Sequence, residues 1–260
     1  MMESALTYDQ ALAALRWQVE MGVTDAIGEE PLDRYALSAP PPQPAARAAP
    51  SSAPAPVEHE PSSDPVQEAR DSAAAAGTLA ELAQAMEAQP SALKPAARRF
   101  VFADGRPEAR IMIVGEAPGR EEDLEGRPFV GRAGQLLDRM LASVNLGRNH
   151  PDPGRAVYIA NVLPWRPPAN RTPGTDEVAQ FLPFLHRHIA LVAPDLLLLM
   201  GNTPCQALLG QAGITRLRGH WREVQGIPAL PAFHPAYLLR NPAAKRDAWA
   251  DLLTLTARLR

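Results

Sequence analysis

The chain has 260 residues, among them 28 prolines and one cysteine, and its formal net charge is −3. Its proline content is about twice that of an average protein, so part of the chain is predicted to be linker. A single cysteine excludes an internal disulfide framework, a site with several cysteine ligands and a CxxC redox motif. No apolar run approaches the roughly 18 residues that cross a bilayer, and the N-terminus lacks a secretory signal pattern, so we expect a cytoplasmic protein.

The N-terminal part of the chain is predicted to be a helix followed by a linker. Leu12, Leu15 and Val19 repeat at helical spacing, so we expect a helical extension over residues 1–37. Residues 38–76 are rich in proline and alanine and are predicted to be a disordered linker, because this composition buries too little apolar surface to offset the entropy of ordering. Both a tethered partner-binding element and a strap on the folded body fit the helical pattern.

Charge is unevenly distributed between the two parts of the chain. Residues 1–78 carry twelve acidic and four basic side chains, whereas residues 79–260 carry seventeen acidic and twenty-two basic ones. An acidic extension on a basic body indicates that the body binds something anionic. Ordinary scatter of surface charge would give the same counts, so this observation needs support from the motifs.

The remaining segment, 77–260, alternates short apolar runs with helical patterns. Four apolar, strand-length runs are typical of buried strands and lie at 110–114, 157–160, 195–200 and 227–233. Helical patterns between and around them lie at 80–88, 136–144, 177–192, 207–209 and 247–259. The alternation predicts an α/β fold, a three-layer α/β/α sandwich with a central, mostly parallel four-stranded sheet.

Polar loops follow these strands, at the edge where such sheets bind ligands. Glu116 and Ala117 come after the first strand, Asn161 after the second, and His234 after the last. The first loop is neither a dinucleotide GxGxxG nor a Walker motif. Its carboxylates can orient water or bind a hard metal, although acidic residues at a helix N-terminus give the same pattern. Because His234 is predicted to share this edge with Asn161 and Glu116, a catalytic role is favoured over a structural one.

Several residues in these loops have chemistry that suits a flat heterocycle or nucleic acid. Phe129, in a glycine-bounded loop, is either a core aromatic or a platform for a base. The carboxamide of Asn161 offers a donor and an acceptor to the edge of a ring. Asn170 lies in a loop stiffened by prolines, which suits a polar group held in place. Leu238, followed by Arg240, could wedge into a base stack.

Together these motifs resemble the bacterial and archaeal family 4 uracil-DNA glycosylases. The resemblance runs in order from about residue 79 to the C-terminus. The segments that carry it are Glu116–Gly119 with Glu122 and Asp123, Arg127–Leu137, Asn161 with Arg166–Pro173, and His234–Arg240. It implies that the protein flips deoxyuridine out of DNA and hydrolyses its N-glycosidic bond, which leaves an abasic site for base-excision repair.

The resemblance also implies roles for individual residues. Phe129 is expected to stack on the uracil, Asn161 to read its edge, and His234 to stabilise negative charge that develops on the uracil O2. Ala117, a pocket residue, stands where the best-known uracil glycosylases carry an aspartate, so the group that activates water stays open. The remaining residues are expected to place water and shape the pocket (Glu116, Glu122 and Asn170), to fill the vacated stack (Leu238) and to contact DNA (Arg240 and Arg171).

One departure from the family is large. Family 4 enzymes typically hold a 4Fe–4S cluster with four cysteines, and the corresponding positions here look like Ala88 or its neighbours, Ser91, Trp165 and Phe181. Cys205 lies in a different segment, and one thiolate cannot hold a cluster that needs four ligands. We therefore predict a member without a cluster or other cofactor, in which Trp165 and Phe181 fill that volume.

Two other functions compete with the glycosylase. A non-catalytic or single-turnover binder of uracil-containing DNA would keep the pocket, but the loop around His234 is unaltered from the enzyme pattern. A nucleotide or acyl hydrolase is the other alternative, but the sequence has no Ser-His-Asp signature, no GxSxG motif and no cluster of metal ligands. We expect a monomer that binds uracil-containing DNA and no membrane, with an N-terminal helix available to an unknown protein partner.

Overall fold

The computed structural model describes residues 64–259, and two helices precede its sheet. Helix α1 spans Pro65–Ala75 and α2 spans Leu79–Ala88. The Asp64 side chain caps α1 by accepting a hydrogen bond from the Val66 N–H at 3.0 Å, and Pro65 occupies the first helical position. The sequence-based prediction of a disordered linker up to residue 76 is therefore wrong from residue 65 onward. The predicted helical extension and the rest of that linker lie outside the described residues.

The centre of the fold is a six-stranded sheet in the order β1-β3-β2-β4-β6-β5. The strands are β1 Ala103–Gly105, β2 Ile111–Gly115, β3 Val157–Asn161, β4 Leu196–Met200, β5 Arg222–Val224 and β6 Ile227–Ala232. The four inner strands are parallel, and β1 and β5 pair antiparallel at the two edges. The predicted parallel strands are confirmed, but the predicted number is wrong because each edge strand has only three residues, too few for a periodic pattern.

Seven more helices follow α2 within the described residues. They are α3 Arg120–Glu125, α4 Arg132–Ala142, α5 Thr175–Val192, α6 Asn202–Leu209, α7 Ile214–Leu217, α8 Pro235–Arg240 and α9 Lys245–Arg258. Short 3-10 turns lie at Lys94–Ala96, Pro168–Asn170 and Pro242–Ala244. All five helices predicted in this segment are present, and α3, α7 and α8 were not predicted. Within 64–259, every helix is too short or too polar to traverse a bilayer.

Both faces of the sheet are covered by helices. On β2, Ile111 and Ile113 point to one apolar layer, whereas Met112 and Val114 point to the other, as the two-residue period of a strand requires. Helices α1, α2, α5 and α6 bury side chains in the layer of Met112, and α4 and α9 bury theirs in the layer of Ile111. The predicted three-layer α/β/α arrangement is confirmed.

The parallel strands bring four loops to one edge of the sheet. In the register of the sheet, Gly115 at the end of β2 pairs with Asn161 at the end of β3. Likewise, Met200 at the end of β4 pairs with Ala232 at the end of β6. Because all four strands end at the same edge, residues that are distant in sequence follow one another around it.

Candidate active site

A cleft of about 660 Å³ opens at this edge of the sheet. It is lined by residues from the loops that follow each of the four parallel strands. Eight of the ten residues that the sequence predicts for the site line this cleft, and they are Glu116, Ala117, Glu122, Phe129, Asn161, Asn170, His234 and Arg240. Leu238 and Arg171 are not among its lining residues.

The Asn161 carboxamide is buried at the floor of the cleft without a partner for its oxygen. The residue is 5% exposed, and its Oδ1 is one of two buried side-chain polar atoms within 64–259 that make no hydrogen bond, the other being Trp165 Nε1. An unpaired buried polar atom costs roughly 1–3 kcal/mol. A ligand that donates to Oδ1 would relieve this cost, and the amide NH₂ of the same side chain offers the complementary donor.

The Phe129 ring lies beside Asn161, over Gly115. The residue is 5% exposed, and its backbone has the left-handed φ of 54°. A Cβ atom at position 115 would overlap both the Phe129 ring and the Asn161 Oδ1, so only glycine lets the two side chains approach β2 this closely. The end of β2 thus places an aromatic face and a carboxamide edge at the same point of the cleft.

His234 ends the loop after β6 and caps helix α8. Its Nδ1 accepts a hydrogen bond from the Ala236 N–H at 3.1 Å, so in the neutral ring the proton is on Nε2. Burial, and secondarily the positive charge of Arg240, lower the pKa of His234 to about 4. At neutral pH the ring is therefore uncharged and offers a hydrogen-bond donor. Its centroid lies 5.3 Å from that of the Phe129 ring.

The two glutamates of the cleft differ in how they are held. Glu122 is 8% exposed, and its carboxylate accepts hydrogen bonds from the backbone N–H groups of Gly119, Val130 and Gly131, each at 3.0 Å. Its oxygens thus tie the start of α3 to the loop that carries Phe129.

Glu116 is half-buried, and its carboxylate is bonded to a hydroxyl. Thr203 Oγ1 donates a hydrogen bond to Glu116 Oε2. The sequence-based predictions missed Thr203. The signal was available, because Thr203 lies three residues beyond the end of β4 and so at the same edge as the other strand ends.

The prediction for Leu238 needs correction. Leu238 is 0% exposed and packs with Leu136, Phe233 and Ala248, whereas its neighbour Leu239 is 37% exposed and lines the cleft. A fully buried side chain cannot enter a base stack without unfolding its surroundings. The structure therefore brings the second leucine of the motif, not the first, to the mouth of the cleft.

Charged and polar side chains surround the mouth. Arg120, Arg132 and Arg240 line it, and the Oδ1 of Asn170 accepts a hydrogen bond from Arg166 Nε at 2.7 Å. Arg171 lies just outside and forms a two-pronged ion pair with Glu177, with nitrogen–oxygen distances of 2.8 and 2.6 Å. Guanidinium groups in this arrangement suit contacts with phosphate.

The residues of the chain do not fit a 4Fe–4S cluster. Such a cluster takes four cysteine ligands, and the chain has one. Burial raises the pKa of the Cys205 thiol to about 12, which disfavours the thiolate that a metal needs. No group of three or more potential metal ligands occurs among residues 64–259.

Trp165 and Phe181, which stand at two of the expected cluster positions, are packed among other apolar side chains. Trp165 is 8% and Phe181 0% exposed, and both belong to the apolar layer of α1, α2 and α5. The Trp165 ring lies 5.3 Å from that of Phe100, and Lys94 Nζ lies 5.6 Å from the Trp165 ring centroid. Trp165 and Phe181 are therefore core residues.

The sequence is similar to a known family and to several known proteins. Residues 102–253 match the model of the uracil DNA glycosylase superfamily. A type-4 uracil-DNA glycosylase of Thermotoga maritima is 42% identical over 146 residues, which cover 54% of this chain and 72% of that protein. Those of Sulfurisphaera tokodaii and Archaeoglobus fulgidus are 39% and 37% identical, and the matched parts cover 55% and 58% of this chain and 67% and 78% of theirs.

The matched region contains the whole sheet and every residue that lines the cleft. Each of the three relatives matches more than half of this chain, and the matched parts make up two thirds or more of their own lengths. This chain therefore belongs to the uracil-DNA glycosylase superfamily and, within it, to the type-4 uracil-DNA glycosylases.

Proposed function

We propose that this protein excises uracil from DNA by hydrolysing the N-glycosidic bond, which leaves an abasic site for base-excision repair. The observation that carries this proposal is the buried Asn161 carboxamide, whose Oδ1 has no hydrogen-bond partner, beside the Phe129 ring, on which the neutral His234 ring stacks. An aromatic face, an amide edge and an uncharged donor are the groups that a flipped pyrimidine requires.

The chemistry needs stabilisation of a leaving anion more than a strong base. As the bond between N1 and C1′ breaks, its electron pair goes to the uracil ring and the sugar becomes oxocarbenium-like. His234 Nε2–H donates to the uracil O2, where negative charge develops, while Asn161 holds the ring edge and Phe129 its face. A water molecule then bonds to C1′ and releases a proton. Fixed donors in a partly buried cleft stabilise such charge strongly.

The two glutamates take different parts in this reaction. Glu116 orients the attacking water, because its carboxylate lies in the cleft and is held by a side-chain hydroxyl, that of Thr203. Glu122 shapes the pocket, because three backbone N–H groups already occupy its oxygens. Asn170, held by Arg166, closes the cleft on the side of the loop after β3.

DNA contacts fall to the residues at the mouth of the cleft. Leu239 takes the place of the flipped nucleotide in the stack, and Arg240 contacts a neighbouring phosphate. Arg120 and Arg132 supply further positive charge beside the opening. Arg171 is an outer contact whose charge is shared with Glu177. Binding through such contacts weakens as salt rises, because counterions are released from the DNA.

The test is a glycosylase assay on a labelled oligonucleotide with one uracil, in which alkali cleaves the abasic product. Wild-type protein should turn over many times. His234→Ala should lower the single-turnover rate by about 10²- to 10³-fold, the typical cost of removing one such donor. Asn161→Ala should also lower it sharply, and His220→Ala, at an exposed histidine, should not. If the wild-type protein binds this DNA tightly but does not excise the uracil, the alternative function, a uracil-DNA binder, would be favoured instead.

We also propose that this type-4 member works without an iron–sulfur cluster. The support is its single cysteine and the packed aromatic core around Trp165. Protein purified without oxygen should hold less than stoichiometric iron and sulfide, and a strong iron chelator should leave its melting temperature and activity unchanged. Cys205→Ala should keep both, whereas a cluster that depended on this thiol would be lost. Stoichiometric iron with a cluster absorption band would refute the proposal.

The protein's partners and location are proposals that rest on the sequence. We propose a cytoplasmic monomer whose acidic N-terminal segment, residues 1–37, binds a protein partner. Light scattering coupled to size-exclusion chromatography should report about 28 kDa for the full chain. A version that lacks residues 1–37 should excise uracil from naked DNA at the same rate as the full chain. It should no longer bind the partner protein that the full chain binds at moderate salt. A dimer mass, or a slower truncated enzyme, would count against this assignment.

A further inference from the structure

The backbone of Phe129 is held in a conformation that phenylalanine rarely adopts. Its φ of 54° lies in the left-handed region, where a Cβ atom crowds the following carbonyl. Such a conformation persists only where the surrounding structure enforces it. Because the Phe129 ring is a wall of the cleft, the groups that enforce its backbone conformation also set the position of its ring.

Arg148 holds this backbone from behind the cleft. It is 8% exposed and does not line the cleft. Its Nη2 donates to the Phe129 carbonyl at 2.8 Å, and its Nη1 donates to the Pro128 carbonyl at 3.0 Å. The guanidinium therefore bonds two successive carbonyl groups of the loop that carries the ring.

A carboxylate holds the other end of the same peptide group. The N–H of Val130 belongs to the peptide bond that follows Phe129, and it donates to Glu122 Oε1 at 3.0 Å. The Phe129–Val130 peptide thus lies between a cation on its carbonyl and an anion on its N–H. Gly134 of α4 packs against the Phe129 carbonyl so closely that any Cβ there would overlap it. The plane of this peptide is consequently fixed on three sides.

Arg148 is itself anchored to two elements of the fold. Its Nη1 lies 2.7 Å from Asp104 Oδ2 on β1, and its Nε lies 3.0 Å from Asp138 Oδ1 on α4. Two carboxylates compensate the buried charge, and the planar guanidinium is thereby held in one orientation. A lysine could not reach all four acceptors, because its ammonium lacks the fork geometry.

We infer that Arg148 is a positioning residue for base recognition, which acts through the Phe129–Val130 peptide to hold the Phe129 ring in place for stacking. This inference rests on the proposed function, since it assigns Phe129 the stacking role. A purely structural arginine would support the fold without any specific dependence on the ring. If Arg148 acts through the ring, its substitution should not slow excision further in a protein that lacks the Phe129 ring; if it is purely structural, it should.

A double-mutant cycle separates these cases. Phe129→Ala should slow single-turnover excision roughly ten- to hundredfold, the usual effect of losing a base–aromatic stack. Arg148→Met should slow it by about tenfold or more and weaken inhibition by free uracil by a similar factor. The double variant should be within about twofold of Phe129→Ala alone. Arg187→Met is the matched control, because Arg187 also donates to a backbone carbonyl, that of Ala76 at 2.8 Å, outside the cleft.

Multiplied losses in the double variant, or unchanged uracil inhibition in Arg148→Met, would overturn the inference while leaving the glycosylase itself intact. If Arg148→Met does not fold, Arg148→Lys, which keeps a positive charge beside Asp104 and Asp138, takes its place in the same cycle. An Arg148→Lys protein with the wild-type rate and wild-type uracil inhibition would equally refute it. A wild-type protein that excises nothing would instead refute the proposed function and this inference together.

Discussion

Leu238 and Leu239 are adjacent on α8, yet one is sealed in the core and the other forms part of the cleft mouth. Leu238 is 0% exposed and Leu239 is 37% exposed. The helix turns each residue by about 100°, so neighbours point in different directions and only one of them can face the DNA. The exposed leucine is therefore the candidate for replacing the base that leaves the stack.

This difference predicts opposite effects for two matched substitutions. Leu239→Ala should slow excision from duplex DNA several-fold more than from single-stranded DNA, because only the duplex has a stack to fill, and it should leave stability nearly unchanged. Leu238→Ala should instead destabilise the fold by about 2–5 kcal/mol, the usual cost of emptying a buried leucine site. Single-turnover rates on both substrates and urea unfolding measure the two effects. Equal losses on both substrates in Leu239→Ala would contradict the assignment.

The hydroxyl of Thr203 should matter to catalysis through Glu116. Thr203→Val keeps the shape of the side chain but removes the donor that holds the carboxylate, so we expect a fall of about tenfold in kcat with little change in KM. Thr203→Ser should restore most of the rate. In a Glu116→Gln background, Thr203→Val should add little. An undiminished rate in Thr203→Val would show that the carboxylate does not need this anchor.

The low pKa of His234 predicts the shape of the pH–rate profile. Because burial and Arg240 lower this pKa to about 4, the ring stays neutral from pH 6 to pH 8, and the single-turnover rate should show no histidine inflection near 6.5. As the pH approaches 4, protonation of Nδ1 removes the acceptor of the Ala236 N–H, and the rate should fall. Arg240→Gln should move that acid limb to higher pH. An inflection near 6.5 that disappears in His234→Ala would contradict this account.

A second buried histidine predicts a pH dependence of stability instead. His188 is 1% exposed, hydrogen-bonded to the Tyr158 hydroxyl at 2.8 Å and stacked on Phe102 at 4.4 Å. Burial lowers its pKa to about 3, whereas the unfolded chain has a value of about 6.5. The unfolded state therefore binds the extra proton below pH 6.5, and stability should fall as the pH drops from 6.5 toward 3.

The size of that loss can be measured by urea unfolding at pH 7.5 and pH 5. The contribution from His188 over this interval is about 2 kcal/mol, because pH 5 lies about 1.5 pH units below the unfolded pKa. His188→Gln should lower stability at pH 7.5 and flatten the pH dependence by about this amount. His220→Gln, at an exposed site, should follow the wild type. If the free energy of unfolding changes equally with pH in His188→Gln and in the wild type, the buried His188 ring is not the group that titrates.

Much of the fold could be predicted because its central strands bury both faces. Continuous apolar runs of strand length between turn-forming residues, such as 196–200, are typical of strands inside a covered parallel sheet. The edge strands β1 and β5 escaped prediction because each has three residues and pairs on one side only. Helix α1 escaped because the high proline content of its neighbourhood is typical of a linker, although Pro65 stands at the one helical position where proline is favourable.

The sequence alone determined which side chains could meet, through the order of its strands and the motifs after them. Glu116, Asn161 and His234 lie at or just after the ends of parallel strands, and the ends of parallel strands meet at one edge whatever the details of packing. Only the tertiary structure decided how each group is used. Whether a leucine is buried, which ring nitrogen is protonated, and which carboxylate is already bonded depend on contacts between distant segments, such as those of Arg148 with the Phe129 loop. Contacts of that kind leave no local pattern in the chain, because they arise only when the layers pack together.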